Sequence, residues 1–251
     1  MSPPIYTPDG SEVSEIVLPD GSTASEVIGP DGNVVFEAGP DIPDSVVTQY
    51  RFEDDSDTTT ALDGVGSNNA TISGPTYTSN AAKGSHAIED DGVDRSGNNV
   101  ESNATVDLVA SGDSQALSVG CFARPEGATG FYYPVSHGIN GGDNLAVVAG
   151  AFAGNWETRL VIGGTEVFVD SGVSVESSTY TAVFAVADQS EVGIIVDGTL
   201  EATTTHSLDL TNIGAGSHKA IQGHSSSNNI FDGGVDDATY ASDRLSAVEV
   251  Q

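Results

Sequence analysis

The sequence predicts an all-β protein, a sandwich or barrel of short antiparallel strands preceded by a small β-repeat meander. Three observations support this fold class. A hairpin signal lies at Asp197-Gly198, many short extended segments follow one another from Val46 onward, and a turn motif recurs through the first 40 residues. Helix signals are nearly absent, apart from a Ser-x-x-Glu spacing at Ser246–Glu249 that predicts a single turn.

The hairpin signal is the stretch Ser190–Ala202, SEVGIIVDGTLEA, in which Asp197-Gly198 separates two extended runs. A type I′ turn needs positive φ at both central residues, and Asp-Gly is one of the pairs that adopt it most readily. Val192, Ile194 and Val196 share one face of the first run because side chains alternate along a strand. The stretch therefore predicts an inner hairpin of a sandwich, with the other segments packed around it.

The remaining extended segments are separated by turn signals such as Gly163-Gly164 and Gly141-Gly142. Many short strands with regularly spaced turns are typical of sandwiches and barrels. The predicted strands are Val46–Phe52, Ala70–Ser73, His86–Glu89, Ala104–Leu108, Ala116–Arg124, Phe131–His137, Asn144–Ala151, Glu157–Ile162, Thr165–Asp170, Thr179–Val186, Glu191–Val196, Leu200–Thr204, Lys219–Gly223 and Gly234–Ala241.

The chain of 251 residues carries 37 acidic and 7 basic residues, which gives a net charge of −30. The acids are dispersed along the chain rather than gathered into a tail. Their mutual repulsion destabilises a compact state in dilute buffer, whereas molar salt shortens the screening length to about 3 Å. The composition is therefore typical of proteins from extreme halophiles. Because the sequence has no basic patch, no nucleic-acid partner is expected.

The only cysteine, Cys121, lies in the apolar run Ala116–Ala123, so we expect a small buried hydrophobe and no internal disulfide. Residues Met1–Leu18 lack the basic start and continuous apolar core of a secretory signal, so none is expected. No apolar run reaches the length of a bilayer span, and membrane insertion is not expected either.

A repeat of 11 residues occupies the N-terminal region, and its copies begin Pro-Asp-Gly at Pro8, Pro19 and Pro30. Because these residues favour tight turns, each unit predicts a turn plus a strand of about seven residues. A few such strands bury too little surface to be stable alone, and apolar residues fall on both faces of the meander. The meander is therefore expected to pack on its own C-terminal domain, or on copies of itself or a larger assembly.

Three regions are predicted along the chain. Residues 1–39 form an N-terminal Pro-Asp-Gly-repeat anchor, residues 40–45 form a linker stiffened by two prolines, and residues 46–251 form the sandwich. If the meander docks on an assembly, other proteins of that assembly are its partners through residues 1–42. A homo-oligomer is also expected.

Four segments in order carry a family resemblance: Tyr50–Thr71, Ala116–Pro125, Val192–Ala202 and Phe231–Val250. They resemble the opening strand, a central strand, the Asp-Gly hairpin and the closing strand of the laminin-G-like, concanavalin A-like jelly-roll family. The resemblance covers about residues 46–251 and implies an antiparallel two-sheet jelly-roll sandwich. It also implies a protein that binds glycans or proteins, in some members together with calcium.

Catalytic signatures are missing from the sequence. It has no metalloprotease motif, phosphate-binding glycine loop or nucleophile elbow, and its five histidines form no i, i+4 pair. Some jelly-roll relatives are glycosidases, which need two carboxylates facing one cleft. Glu166 and Asp170 have an i, i+4 spacing, but the apolar residues between them are typical of a structural strand. The protein is therefore predicted not to be an enzyme.

Calcium is the candidate cofactor, because hard oxygen ligands suit it and relatives sometimes place such ligands near these positions. The candidate ligands are Asp91, Asp94, Asp236 and Asp237. The alternative is that these aspartates belong to the hydrated acidic surface expected of a halophilic protein and bind no metal.

Aromatic residues beside amides provide the candidate ligand-binding site. Trp156, the only tryptophan, follows Asn155, and Tyr132 and Tyr133 lie on another predicted strand. Such rings stack on sugars while neighbouring amides bind hydroxyl groups. The alternative for Trp156 is a place in the core of the sandwich.

These observations suggest a virion structural protein of a halophilic archaeal virus, placed on the capsid or tail surface. In this hypothesis the N-terminal repeats anchor the protein, and the sandwich recognises a host surface glycan or an S-layer protein. The alternative is a free, extracellular carbohydrate-binding lectin-like module of a haloarchaeal cell.

Overall fold

The protein is described here by a computed structural model, which divides the chain into two compact units, Met1–Pro43 and Asp44–Gln251. The described residues are 26–28, 34–37, 42–53, 59–90, 99–102, 115–126, 132–138, 145–152, 154–212, 218–221 and 231–250.

The first unit contains an antiparallel pair of strands, β1 (Glu26–Ile28) and β2 (Val34–Glu37), in which Val27 lies opposite Phe36. The two strands flank the third Pro-Asp-Gly sequence, where the repeat predicts a turn. They span three and four residues rather than about seven, and the first two repeats lie outside the described residues.

The described strands of the second unit form two antiparallel sheets, which confirm the predicted all-β sandwich. Sheet I has the order β13 (Thr165–Ser174), β12 (Asn155–Ile162), β11 (Leu145–Phe152), β10 (Tyr132–Gly138), β17 (His218–Ile221), β8 (Asn99–Ser102), β5 (Ala70–Ser73), β4 (Thr60–Ala61). Sheet II has the order β16 (Thr199–Thr205), β15 (Glu191–Val196), β14 (Thr181–Ala187), β9 (Leu117–Pro125), β18 (Gly233–Ala241), β7 (Ala87–Asp90), β6 (Thr76–Thr78), with β3 (Val46–Tyr50) also paired to β18. Within the described part of the chain the only helical element is a 3₁₀ turn, Leu210–Asn212, and none is long and apolar enough to span a membrane.

The predicted hairpin is present as β15 and β16, and its turn has φ of 45° at Asp197 and 73° at Gly198. The Asp197 carboxylate also accepts the N–H of Ala182 at 2.9 Å, which ties the turn to β14. Its inner position was wrong, however, because β16 forms the edge of sheet II. The sequence TLEATTT of β16 carries polar residues on both faces, as suits an edge strand open to water.

The main core lies between the two sheets and contains large side chains from both, including Tyr50, Trp156, Leu160 and Tyr240. Cys121 belongs to this core and is fully buried, which confirms its prediction as a small hydrophobe. Burial raises the pKa of the Cys121 thiol well above its usual value.

A second apolar cluster covers the outer face of sheet II. Phe184 and Ile195 point away from the main core and pack with Leu245 and Val250 of the C-terminal segment. Ser246–Glu249 forms the predicted turn, since the Glu249 carboxylate accepts both the N–H and the hydroxyl of Ser246, at 2.7 and 2.6 Å. The C-terminal segment thus closes this part of sheet II, whereas the outer face of β12 and β13 in sheet I carries polar side chains.

Candidate functional site

The candidate site is the outer face of β12 and β13, named here the β12–β13 face. Along β12 the side chains of Trp156, Leu160 and Ile162 pack into the core, so the intervening Asn155, Glu157 and Arg159 point outward. The register pairs Glu157 with Asp170 and Arg159 with Phe168 across the strands. The face therefore consists of Asn155, Glu157, Arg159, Glu166, Phe168 and Asp170, with Tyr133 reaching it from β10.

Arg159 is held by partners from two other strands of sheet I, the adjacent β13 and β10, which lies beyond β11. Its Nη2 lies 2.7 Å from Oε1 of Glu166 on β13, and its Nη1 lies 3.5 Å from the hydroxyl of Tyr133 on β10. Both members of the ion pair are partly exposed, with 28% of the Arg159 side chain and 45% of the Glu166 side chain accessible. The pair is therefore within reach of a ligand.

Asp170 is oriented by two donors. The Nδ2 of Asn155 lies 3.1 and 3.3 Å from the two carboxylate oxygens, and the N–H of Gly172 donates to Oδ1 at 2.7 Å. Asp170 itself is exposed, so its remaining lone pairs face solvent. This arrangement presents a fixed carboxylate and an amide side by side at the surface.

Glu157 is buried, although it lies on the same face as these exposed groups. Only 4% of the residue is accessible, and its Oε2 has no hydrogen-bond partner among the residues that the structure describes. Its cross-strand neighbours are Asp170 on β13 and Gly150 on β11, and the glycine has no side chain to offer a donor. Burial raises the pKa of Glu157 to about 7; the charge of Asp170 adds to this rise, and Arg159 opposes it.

Substituting Glu157→Gln is expected to remove a pH dependence of stability. The folded protein binds this proton more tightly than the unfolded chain, whose pKa is near 4.5, so unfolding free energy falls as pH rises from 4.5 to about 7. The variant should therefore gain on the order of 2 kcal/mol over wild type above pH 7 and little below pH 4.5. Urea unfolding of wild type and variant at several pH values across this range measures the difference in their unfolding free energies.

The matched control for this pH experiment is Glu176→Gln, which removes an exposed carboxylate elsewhere in the sandwich. Buried Asp236, whose pKa is also raised to about 7 by burial, gives a similar pH dependence in wild type and in both variants. A Glu157→Gln profile that parallels the wild-type profile would contradict the role assigned to Glu157.

Phe168 adds an apolar surface to the β12–β13 face, with 46% of the residue exposed. It stands opposite Arg159 in the strand register, between Glu166 and Asp170 on β13. An exposed ring bordered by carboxylates, an amide and a guanidinium can contact the C–H face of a polyhydroxylated ligand while its neighbours bind hydroxyl groups.

The predicted ligand-binding residues have different places in the structure. Trp156 is fully buried in the main core, so the alternative considered for it holds and its ring is not open to a ligand. Asn155 lies on the β12–β13 face, and Tyr133 is 6% exposed with its hydroxyl directed to Arg159. Tyr132 belongs to β10 and pairs with Ala151, and only its backbone is among the described atoms.

Sequence reasoning missed Glu157, Arg159 and Phe168. The strand sequence NWETRLVI alternates polar and apolar residues, so placing Trp156 in the core would have turned Glu157 and Arg159 outward. Glu166 and Asp170 were recognised as a spaced acidic pair, and the structure puts both beside Arg159 and Glu157.

Among the predicted calcium ligands, Asp91 and Asp94 lie outside the described residues. Asp236 is fully buried, and its Oδ2 accepts the N–H groups of Ala82 and Lys83 at 2.9 and 2.8 Å. Its carboxylate thus ties the loop before β7 to strand β18, where Asp237 has a positive φ of 47°. Within the described parts of the chain, no three His, Cys, Asp or Glu side chains form a group that holds a metal. Calcium binding stays a prediction.

Comparisons with solved structures identify the fold. Domain 4 of AbnA, a GH43 extracellular arabinanase from Geobacillus stearothermophilus in complex with arabinotriose, has a TM-score of 0.64 at 16% identity, covering 82% of this chain and 96% of that domain. The fold is a jelly-roll β-sandwich. No protein-family model matches the chain, and the search of curated proteins found no match either.

Two further structures share the sandwich. The binding domain of Paraclostridial Mosquitocidal Protein 1 has a TM-score of 0.63 at 15% identity, with 84% of this chain and 52% of that one covered. Trypanosoma rangeli sialidase in complex with sialic acid has a TM-score of 0.60 at 15% identity, with 90% and 35% covered. This chain spans about half the length of the first and about a third of the second.

Proposed function

We propose that the jelly-roll unit is a glycan-binding, lectin-like module, that it acts without catalysis, and that the β12–β13 face is its binding surface. The observation that carries the proposal is the exposed Phe168 ring, bordered by the oriented Asp170–Asn155 pair and by Arg159. Domain 4 of AbnA, a solved structure of similar fold, is in complex with arabinotriose, a neutral saccharide, which supports a saccharide ligand here.

Each group on the face has a distinct task in this proposal. The Phe168 ring packs against the apolar C–H face of a sugar ring and releases water from both surfaces. The Asp170 carboxylate accepts hydrogen bonds from sugar hydroxyls, and the Asn155 amide keeps it in place. The edge position of β13 leaves this surface open along the strand, so an extended oligosaccharide can lie across it.

Substituting Phe168→Ala is expected to weaken glycan binding by about five- to tenfold, because covering the exposed part of the ring contributes roughly 1 kcal/mol. The unfolding free energy should change little, since the ring is 46% exposed. Binding is measured on a glycan array in multimolar KCl and then by calorimetry with the best glycan.

The matched control is Leu200→Ala, which removes an equally exposed apolar side chain from the edge strand of sheet II. Equal binding by the Phe168→Ala variant and wild type would contradict the assignment of this face. Release of reducing sugar during the assay would contradict binding without catalysis, since Glu157 and Asp170 also form a cross-strand carboxyl pair.

A finer proposal concerns the setting of the module. The 11-residue repeats anchor the protein through residues 1–42 to other proteins of a particle, and the net charge of −30 suits a halophilic environment. In this setting the protein lies on the surface of a haloarchaeal virion, where the sandwich recognises a host glycan or S-layer protein. A monodisperse monomer in multimolar salt, with residues 1–42 labile to protease, would contradict the anchoring role.

A further inference from the structure

The β12–β13 face carries more negative than positive charge among its described residues. Glu157, Glu166 and Asp170 supply three carboxyl groups, whereas Arg159 supplies the only guanidinium. Asp170 and Glu166 are exposed, so a ligand meets both of them directly. An acidic ligand on this face needs a cationic partner that is available to it.

Arg159 is the group on this face that would bind the carboxylate of an acidic sugar, because a guanidinium presents paired donors that match a carboxylate. In the structure Glu166 already occupies this guanidinium, with Nη2 and Oε1 only 2.7 Å apart. The other terminal nitrogen, Nη1, is directed to the Tyr133 hydroxyl at 3.5 Å. An acidic sugar therefore competes with Glu166 for the Arg159 guanidinium and approaches the Asp170 carboxylate at the same time.

We propose that the β12–β13 face selects uncharged glycans, and that Glu166 is the residue that sets this selectivity by occupying Arg159. The inference rests on the proposed glycan-binding function and names its ligand class. Neutral sugars offer hydroxyl groups, which donate to Asp170 and accept from Asn155 without requiring a free guanidinium.

The test uses pairs of trisaccharides that differ only at carbon 6, such as α-1,4-linked galactotriose and trigalacturonate, with gluco and manno pairs beside them. Each pair compares a hydroxymethyl group with a carboxylate on the same ring. The full-length protein is assayed in multimolar KCl. Wild type is expected to bind the neutral member of a pair more tightly than the uronate member.

Substituting Glu166→Gln is expected to raise uronate affinity by about tenfold, because a charge-assisted hydrogen bond to Arg159 becomes available. Because Glu166 belongs to the β12–β13 face, the readout is the ratio of uronate affinity to neutral affinity, which should rise by about tenfold and is insensitive to a change shared by both ligands. The double variant Glu166→Gln with Arg159→Gln should lose the gain in uronate affinity, and this loss would assign the gain to the Arg159 guanidinium.

The matched control is Glu201→Gln, which makes the same change in net charge at an exposed position on β16 of sheet II. A uronate gain of similar size in this control, or no gain in Glu166→Gln, overturns the role of Glu166. Wild-type preference for the uronates overturns the selectivity while the binding function stands. If wild type binds no glycan on the array, the proposed function fails and this inference fails with it.

Discussion

Substituting Trp156→Ala is expected to lower the free energy of unfolding by about 4 kcal/mol, in the range found for removing a large aromatic side chain from a packed core. Trp156 has no accessible surface and packs in the main core between the two sheets. Its Nε1 has no hydrogen-bond partner within the described part of the chain, so the loss is assigned to packing and burial rather than to a broken bond. Urea unfolding in multimolar KCl, followed by circular dichroism, measures the change.

Phe168→Ala is the matched comparison for this effect, because it removes an aromatic ring from the opposite face of the same sheet. It should cost less than about 1 kcal/mol, as is usual for exposed positions. Trp156→Phe keeps an aromatic ring in the core, and its loss of unfolding free energy should lie between those of Trp156→Ala and Phe168→Ala. A Trp156→Ala protein that is as stable as wild type but defective in glycan binding would contradict the core position of Trp156 and would indicate that its side chain belongs to the binding surface.

Substituting Gly233→Ala is expected to lower the free energy of unfolding by about 3 kcal/mol or more, because backbone strain and a steric clash act at the same position. Gly233 has a φ of 138°, which L residues with side chains rarely adopt. A Cβ built there would lie 2.1 Å from the carbonyl oxygen of Arg124 in the neighbouring strand. Since that oxygen belongs to the backbone of β9, relief requires the two strands to separate. Thermal and urea unfolding both report the loss.

Gly163→Ala serves as the control for Gly233→Ala. Gly163 lies in the hairpin turn between β12 and β13 with a φ of 57°, and a Cβ added at this position would have open space within 4 Å. Backbone strain alone should then cost about 1–2 kcal/mol. Equal losses in the two variants would show that contact with Arg124 contributes nothing at Gly233.

Local turn chemistry made much of the fold predictable from sequence. Asp197-Gly198 and Gly163-Gly164 each connect paired strands with the positive φ values that two-residue hairpins require. Predicted strands at Ala70–Ser73 and Glu191–Val196 coincide with the observed β5 and β15. These predictions succeeded because the turn residues and the alternation of side chains act within a few residues of each other.

Properties that depend on distant pairing were harder to predict. The strands Thr60–Ala61, Thr76–Thr78 and Asn99–Ser102 span only two to four residues, which is too short for an alternating pattern to identify them in the sequence. The predicted strand Ala104–Leu108 lies outside the described residues. The edge position of β16 follows from the order of strands in sheet II, which no local pattern specifies.

The candidate site was predicted in part for the same reason. Asn155 and Tyr133 were identified from their residue types, whereas the pairing of Arg159 with Glu166 depends on the register between β12 and β13. Trp156 was a candidate for the binding surface because a lone tryptophan beside an asparagine is compatible with both sugar stacking and core packing. Only the direction of its side chain in β12 distinguishes sugar stacking from core packing.

The position of β18 affects how this protein is made. This strand is the last one along the sequence, yet it pairs with β3, β7 and β9 inside sheet II, and Ser242 just after it donates to the carbonyl of Ser45 at 2.8 Å. During synthesis, sheet II cannot be completed until Gly233–Ala241 has left the ribosome. Until then β9 can pair with β14 on one edge, whereas its other edge has no partner and is open to pairing with another chain.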